Sequence, residues 1–239
     1  RYGEIRDGKA VLVYVTEDFL PKKQVKAENQ NPSNIPVLKL NATKKFKTGI
    51  YPYSIMQSTF YPVSNNKHAI KVSSSIQEWC GHTYMQFNQD NDAYDITHYS
   101  YFQSEGNKVF EVKNVLTENQ IPAQLRLDPK EMPVGNIQII PSTEYLRLKH
   151  VETKAYDAVA KLSGIPDGYL YSIKFTNLGR TIAFKTEKNF PYRILSWMDR
   201  YKDGTTPMVS TGTLKETIQT AYWEKNSNAD SVLRDSLKL

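Results

Sequence analysis

Apolar and polar residues alternate along most of this chain with a period of two, and this alternation points to a fold built from β-strands. The segments Thr83–Asn88 (TYMQFN) and Ala93–Phe102 (AYDITHYSYF) show it clearly, on either side of the turn-rich letters NQDND. The 16 Tyr, 9 Phe and 3 Trp residues suit the half-buried surfaces of a pleated sheet. The pattern predicts antiparallel strands joined by short turns.

Further strands are predicted on both sides of this hairpin. They are Ala10–Glu17, Tyr51–Tyr61, His68–Val72 leading into Ile76–Gln77, Val109–Val112, Glu144–Lys149, Lys154–Leu162, Tyr169–Thr176, Arg180–Thr186, Tyr192–Tyr201 and Leu214–Trp223. The turn between Tyr169–Thr176 and Arg180–Thr186 contains Gly179, which we expect at a positive φ.

The segment 114–141 interrupts this rhythm because it contains four prolines, Pro122, Pro129, Pro133 and Pro141. Leu116–Leu127 is compatible with a short helix capped by Thr117, although Pro122 lies inside it. The segment predicts a long crossover between two groups of strands. At the other end of the chain, Asn228–Leu239 predicts a short helix that packs on a sheet.

These patterns predict an all-β protein with a large curved antiparallel sheet, of half-barrel or barrel-like form, a short C-terminal helix and a Pro-rich crossover. Residues 1–239 are expected to form a single β domain, with a two-half division at the 114–141 crossover as the alternative.

Charge and motifs exclude several function classes. The net charge is only +6, and basic residues alternate with acidic ones, so no nucleic-acid partner is expected. The densest basic stretch, Lys39–Lys47, is typical of a solvated loop. Glycine-rich phosphate motifs, HExxH and GxSxG are absent, which argues against a cofactor and against an enzyme. No stretch approaches the ~20 apolar residues of a membrane-spanning helix.

One compact cluster, Glu78-Trp79-Cys80-Gly81-His82, carries chemistry. On an extended strand Glu78, Cys80 and His82 project from one face, and a bulge at Gly81 would bring the thiol nearer the imidazole. The alternative to a non-enzymatic protein is therefore a hydrolase with Cys80 as nucleophile, His82 or His98 as base and Glu78 orienting it. A site for a soft metal ion at Glu78, Cys80 and His82 is a weaker alternative. For a segment of this kind the commoner outcome is structural, with Trp79 and Cys80 packed in the core.

The position of His98 depends on the hairpin register. If Phe87 lies opposite Tyr94, then His82 and His98 project from opposite faces of the sheet, and a one-residue bulge would reverse this.

Aromatic residues at period two are the candidate ligand-binding residues. On a curled sheet such rows either fill the core or line a concave pocket for an apolar or sugar-like ligand. The residues are Tyr51, Tyr53, Tyr99, Tyr101, Tyr169, Tyr171 and Trp197.

Three stretches, RYGEIRDGKAVLVYVTEDF, LNATKKFKTGIYPYSIMQSTFYPV and SIQEWCGHTYMQ, resemble a family of exported, often lipid-anchored proteins of Gram-negative bacteria. Some members carry the label of septum-formation inhibitor, a family of α/β nucleotide pyrophosphatases with a Ser-x-Ser-Pro-Arg motif that this chain lacks. The resemblance implies a periplasmic or outer-membrane location and a lipid anchor or peripheral membrane association. It supplies no catalytic residues.

The sequence thus predicts a non-enzymatic cell-envelope protein. It would either bind an apolar or lipid-like ligand or dock on an outer-membrane protein partner. A lined concave groove would support the first activity, and an exposed apolar patch the second.

Overall fold

The computed structural model describes residues 1–64 and 68–239, and its strands form two antiparallel sheets. The first sheet has eight strands within this described part of the chain, in the order β2-β1-β3-β4-β5-β6-β7-β8. Their bounds are β1 Gly8–Leu20, β2 Val25–Lys26, β3 Ile35–Thr48, β4 Tyr51–Pro62, β5 Lys71–Glu78, β6 Gly81–Asp90, β7 Ala93–Ser100 and β8 Lys108–Lys113.

The second sheet has seven strands in the described ranges, and its order is β15-β14-β13-β12-β11-β10-β9. All its neighbours are antiparallel except β9 and β10. The bounds are β9 Leu116–Thr117, β10 Gly135–Ile140, β11 Tyr156–Ile165, β12 Gly168–Phe175, β13 Arg180–Glu187, β14 Ile194–Asp203 and β15 Thr206–Thr213. The predicted all-β, largely antiparallel class is confirmed. Neither sheet closes on itself, and the strands change sheet at the predicted crossover.

Side-chain alternation explains most of the strands. In β4, Tyr53 and Ile55 are buried whereas Ser54 and Met56 face solvent. The β12–β13 turn also follows its prediction, because Gly179 has a φ of +58° there.

The basic stretch Lys39–Lys47 is not a solvated loop, as the sequence suggested, but most of strand β3. Its lysines hid the pattern, since Lys45 and Lys47 are exposed whereas Leu40, on the opposite face of the strand, is buried. Long lysine side chains are well tolerated on the exposed face of a strand, so charge density misled the prediction.

The predicted strand Glu144–Lys149 is wrong, because these residues form helix α2, Thr143–Lys149. The Ser142 hydroxyl accepts a hydrogen bond from the Tyr145 amide at 3.3 Å, which caps the first turn. The helix ends at His150, whose φ of +52° is left-handed. Six residues are too few for the spacing of apolar side chains to distinguish a helix from a strand.

The C-terminal region also differs from expectation. The last strand is β15, and the predicted strand Leu214–Trp223 is irregular except for a 3-10 turn at Tyr222–Glu224. A 3-10 turn at Asn228–Ser231 leads into helix α3, Val232–Ser236, so the predicted C-terminal helix is present but shorter. Val232 is 62 % exposed, so it does not pack on a sheet as predicted.

Helix α1, Ile121–Leu127, lies in the crossover and joins the two cores. Ile121 and Leu125 belong to the core of the second sheet, whereas Ala123 belongs to the largest core of the first. Pro122 falls in the first turn, where a helix needs no amide hydrogen, so it does not disrupt the helix.

A buried ion triad links the crossover to the second sheet. The Arg180 guanidinium on β13 donates to Glu118 at 2.7 Å and to Asp199 on β14 at 2.8 and 2.9 Å. Arg180 is 2 % exposed and Glu118 3 % exposed, and the guanidinium carbon lies 4.0 Å from the centre of the Tyr145 ring. The carboxylates raise the pKa of Arg180 against the opposing effect of burial.

Replacing Arg180→Met should destabilise the protein by about 3–5 kcal/mol, because it leaves two buried carboxylates without a counter-charge. The free energy of unfolding from urea titration measures this loss. The matched control is Arg193→Met, which breaks the exposed Arg193–Glu187 pair and should have little effect. Equal losses in the two variants would contradict a role for the triad in anchoring the crossover to the second sheet.

Candidate functional site

Several turns meet at one end of the first sheet and expose large apolar side chains. Because the strands are antiparallel neighbours, the segment before β1, the β3–β4 turn, the β5–β6 turn and the β7–β8 loop all lie at this end. Their exposed members are between 54 % and 85 % accessible. We name them the turn rim: Tyr2, Ile5, Ile50, Trp79 and Tyr101.

Aromatic contacts support part of the turn rim. The rings of Tyr51 and Trp79 stack with centroids 6.3 Å apart, and the Tyr51 hydroxyl lies 3.5 Å from that of Tyr2. On the other side the Tyr101 ring rests on Gly81, where an added Cβ would lie 2.7 Å from the ring. Gly81 also has a φ of +148°, so both backbone and packing require glycine there.

The predicted cluster around Cys80 is a tight turn and not a straight strand face. The Glu78 carboxylate accepts a hydrogen bond from the Cys80 amide at 2.7 Å and pairs with Arg147 of α2 at 3.4 Å. The Glu78 and Arg147 side chains are 3 % and 2 % exposed, whereas Cys80 is exposed. A hydrogen bond to Glu78, followed by burial, raises the pKa of the Cys80 thiol, which opposes formation of a thiolate.

The two histidines lie on opposite faces of the first sheet, as the register argument predicted. His82 is exposed and pairs with Gln77 on β5, whereas His98 is 8 % exposed and pairs with Met85 on β6. Phe87 pairs with Ile96 and not with Tyr94, so the register differs from the prediction by two residues. A shift of two leaves every side chain on its predicted face.

A second polar cluster, which sequence reasoning missed, lies beneath the β7–β8 loop. The Glu105 carboxylate lies 2.6 Å from His150 Nδ1 and 3.9 Å from His98 Nε2, and it accepts a hydrogen bond from the Ser100 hydroxyl. Burial alone would raise the pKa of Glu105, but the hydrogen bonds from Ser100 and His150 outweigh it and lower the pKa. Ser100 donates to a carboxylate, so the cluster does not form a nucleophile–base pair.

The aromatic ring of Phe102 packs against His150 of this cluster and against Arg147. The Arg147 guanidinium lies 4.1 Å from the centre of its ring, and the His150 ring lies 5.3 Å away at an angle of 73°. Arg147 and His150 come from a helix predicted as a strand, so no sequence spacing pointed to this contact. Among the described residues, no group of His, Cys, Asp and Glu is arranged to hold a metal ion.

The structure separates the predicted ligand-binding aromatics. Tyr53 and Tyr171 are buried in different cores, and the Tyr171 hydroxyl donates to the Pro133 carbonyl at 2.8 Å. Tyr99 and Tyr101 are exposed on the first sheet. The remaining three are half-buried: Tyr51 at the rim end, and Tyr169 and Trp197 in the second sheet. Their role in ligand binding stays a prediction.

A shallow hollow of about 350 Å³ lies at the β10 edge of the second sheet. None of the predicted aromatic residues lines it. Its lining is Asn136, Ile137, Gln138, Asp157, Ala158 and Thr176.

Cys80 should react with iodoacetamide in the native protein with a pH midpoint above that of an ordinary thiol, because its pKa is raised by Glu78. Alkylation rates measured across pH give this midpoint, and the same chain unfolded in urea is the control. A native midpoint below the unfolded one would contradict the geometry and restore the nucleophile hypothesis.

His98 should make the protein less stable in mild acid. Burial lowers the pKa of His98 more than Glu105 raises it, so the unfolded chain binds the proton more tightly. The free energy of unfolding should therefore fall as the pH drops below about 6.5, the ordinary value for histidine. Urea titrations across this range measure the slope.

The variant His98→Gln should flatten this slope, and His82→Gln, which alters an exposed histidine on the other face, should leave it unchanged. The depressed pKa of Glu105 acts separately, since its contribution is lost only as the pH falls below the ordinary value of 4.5. A slope that persists in His98→Gln would show that other groups cause it.

No protein-family model matches the chain, and no curated protein matches it either. Among solved structures it is similar to a β-barrel-like protein of a domain of unknown function, DUF1849, from Brucella abortus. That match has a TM-score of 0.45 and 8 % sequence identity, and it covers 84 % of this chain and 92 % of the other. In the described ranges, no helix is both long and apolar enough to span a membrane.

Proposed function

We propose that this chain is a non-enzymatic cell-envelope protein that docks on an envelope membrane through the turn rim. The observation that carries this proposal is the convergence of exposed apolar tips from adjacent turns: Ile5, Ile50, Trp79 and Tyr101. Single exposed apolar residues are common on soluble proteins, but several on one edge mark an interaction surface.

The shape of the rim supports docking rather than enclosure of a ligand. Its residues stand on turn tips, where they reach outward from the sheet, and rings already in contact lose little freedom when they bind. Tyr53 and Phe46, which lie behind the tips, stack with centroids 4.7 Å apart and form a firm base.

The hydrolase alternative receives little support from the same geometry. Glu78 raises the pKa of the Cys80 thiol, the buried His98 faces away from His82, and Ser100 is bound to a carboxylate. The envelope location comes from the sequence resemblance and forms part of the proposal.

Sedimentation with envelope membranes of a Gram-negative bacterium tests this function. A triple variant, Ile50→Ser, Trp79→Ser and Tyr101→Ser, should bind at least about tenfold more weakly, because burial of each large apolar side chain contributes about 1.5–3 kcal/mol.

The matched control replaces three equally exposed apolar residues outside the rim, by Val134→Ser, Phe190→Ser and Val232→Ser. This control should sediment like the unaltered protein. Retained binding by the rim variant, or failure of the unaltered protein to sediment, would overturn the proposal.

A further inference from the structure

Exposed lysines surround the turn rim. Lys9 lies at the start of β1, Lys45 and Lys47 lie in the last four residues of β3, and Lys108 begins β8. We name these four residues the lysine belt. Across residues 1–64 and 68–239, none of the four forms an ion pair, whereas Lys39, Lys44 and Lys149 each have a carboxylate partner.

Two members of the lysine belt repel each other. Lys9 and Lys45 are direct partners in the register of β1 and β3, so their side chains project from one face as neighbours. Like charges placed opposite each other destabilise a sheet. An anionic surface applied to this end would relieve that repulsion.

Acidic residues at this end do little to offset the lysine belt. Glu4 is paired with Arg6, and Asp203 is paired with Lys149. Glu78 and Glu105 are buried in the clusters described above. Asp7 is exposed at this end and has no ion-pair partner among the described residues. The exposed charge near the turn rim is therefore predominantly positive.

The order of apolar tips and lysines fits the layers of a bilayer interface. Lys47 lies next to the last residue of β3, and Ile50 lies in the turn that follows, so the lysine stands behind the apolar tip. Apolar groups of interfacial proteins enter the headgroup and acyl boundary to a depth of about 5–10 Å. Tips at that depth would leave the lysines level with the headgroups, and Trp and Tyr side chains favour this region.

Resting on the proposed function, we propose that the partner of the turn rim is an anionic lipid surface. The apolar tips enter the interfacial layer, and the lysine belt binds the headgroup phosphates. Each lysine near such a surface strengthens binding by about fivefold, so charge and apolar burial act together.

Vesicle binding tests this inference with two compositions, phosphatidylcholine alone and equimolar phosphatidylcholine and phosphatidylglycerol. The protein should sediment with the mixed vesicles at least about tenfold more strongly than with the neutral ones, and added salt should weaken this binding. Brominated lipid should quench the fluorescence of the unaltered protein, and the variant Trp79→Phe should lose that quenching.

Removal of the positive charges of the lysine belt provides a second test. Changing Lys9, Lys45, Lys47 and Lys108 together to Gln should abolish the preference for phosphatidylglycerol. The control changes four exposed lysines outside the rim, Lys22, Lys23, Lys130 and Lys188, to Gln, so that both variants lose the same number of positive charges. This control should retain the preference.

The outcomes separate this inference from the proposed function. Sedimentation with envelope membranes but not with anionic vesicles would overturn the lipid assignment and point to an envelope protein as the partner. Equal binding to both vesicle types, or equal loss in both lysine variants, would also overturn it. Failure of the triple rim variant to differ on envelope membranes would remove the docking function itself.

Discussion

The buried salt bridge between Arg180 and Glu118 is the contact that holds the crossover between the two sheets in place. Glu118 follows β9 in the crossover, and Arg180 lies in β13, so one guanidinium fixes the crossover against the second sheet. The Glu118 carboxylate also accepts a hydrogen bond from the Ser142 amide at the start of α2. The same helix supplies Arg147 to the first sheet, so the position of the turn rim is connected to the triad through one short helix.

Local sequence patterns predicted much of this fold. Alternation identified most of the strands, and the turn chemistry of Gly179 identified the β12–β13 hairpin. The prediction failed where tertiary context outweighed local signals. The lysines of Lys39–Lys47 suggest a charged loop, yet this segment is the central part of β3 and pairs with both β1 and β4. The prediction for Glu144–Lys149 is wrong because a helix of only two turns is too short for its hydrophobic pattern to differ clearly from that of a strand.

The site was less predictable than the fold. Cys80 was a candidate for its chemistry, and Trp79 was expected to pack in the core, but both residues are exposed at a turn whose place follows from the strand register. Arg147, His150 and Glu105 were missed because helix α2 was predicted as a strand and Glu105 lies in the separate β7–β8 loop, so only the folded chain brings them together. Tyr101 was predicted inside the strand Ala93–Phe102, whereas β7 ends at Ser100 and leaves Tyr101 exposed in the loop that follows.

The order of the strands has a consequence for how the chain folds. Apart from β2, every strand of the first sheet pairs with a neighbour that follows closely in sequence, and such local contacts form rapidly. Arg180 lies 62 residues beyond Glu118. During synthesis from the N-terminus the first sheet therefore emerges complete while Glu118 still lacks its counter-charge. The triad therefore forms only after β13 and β14 have been synthesised, and it then fixes the crossover to the second sheet.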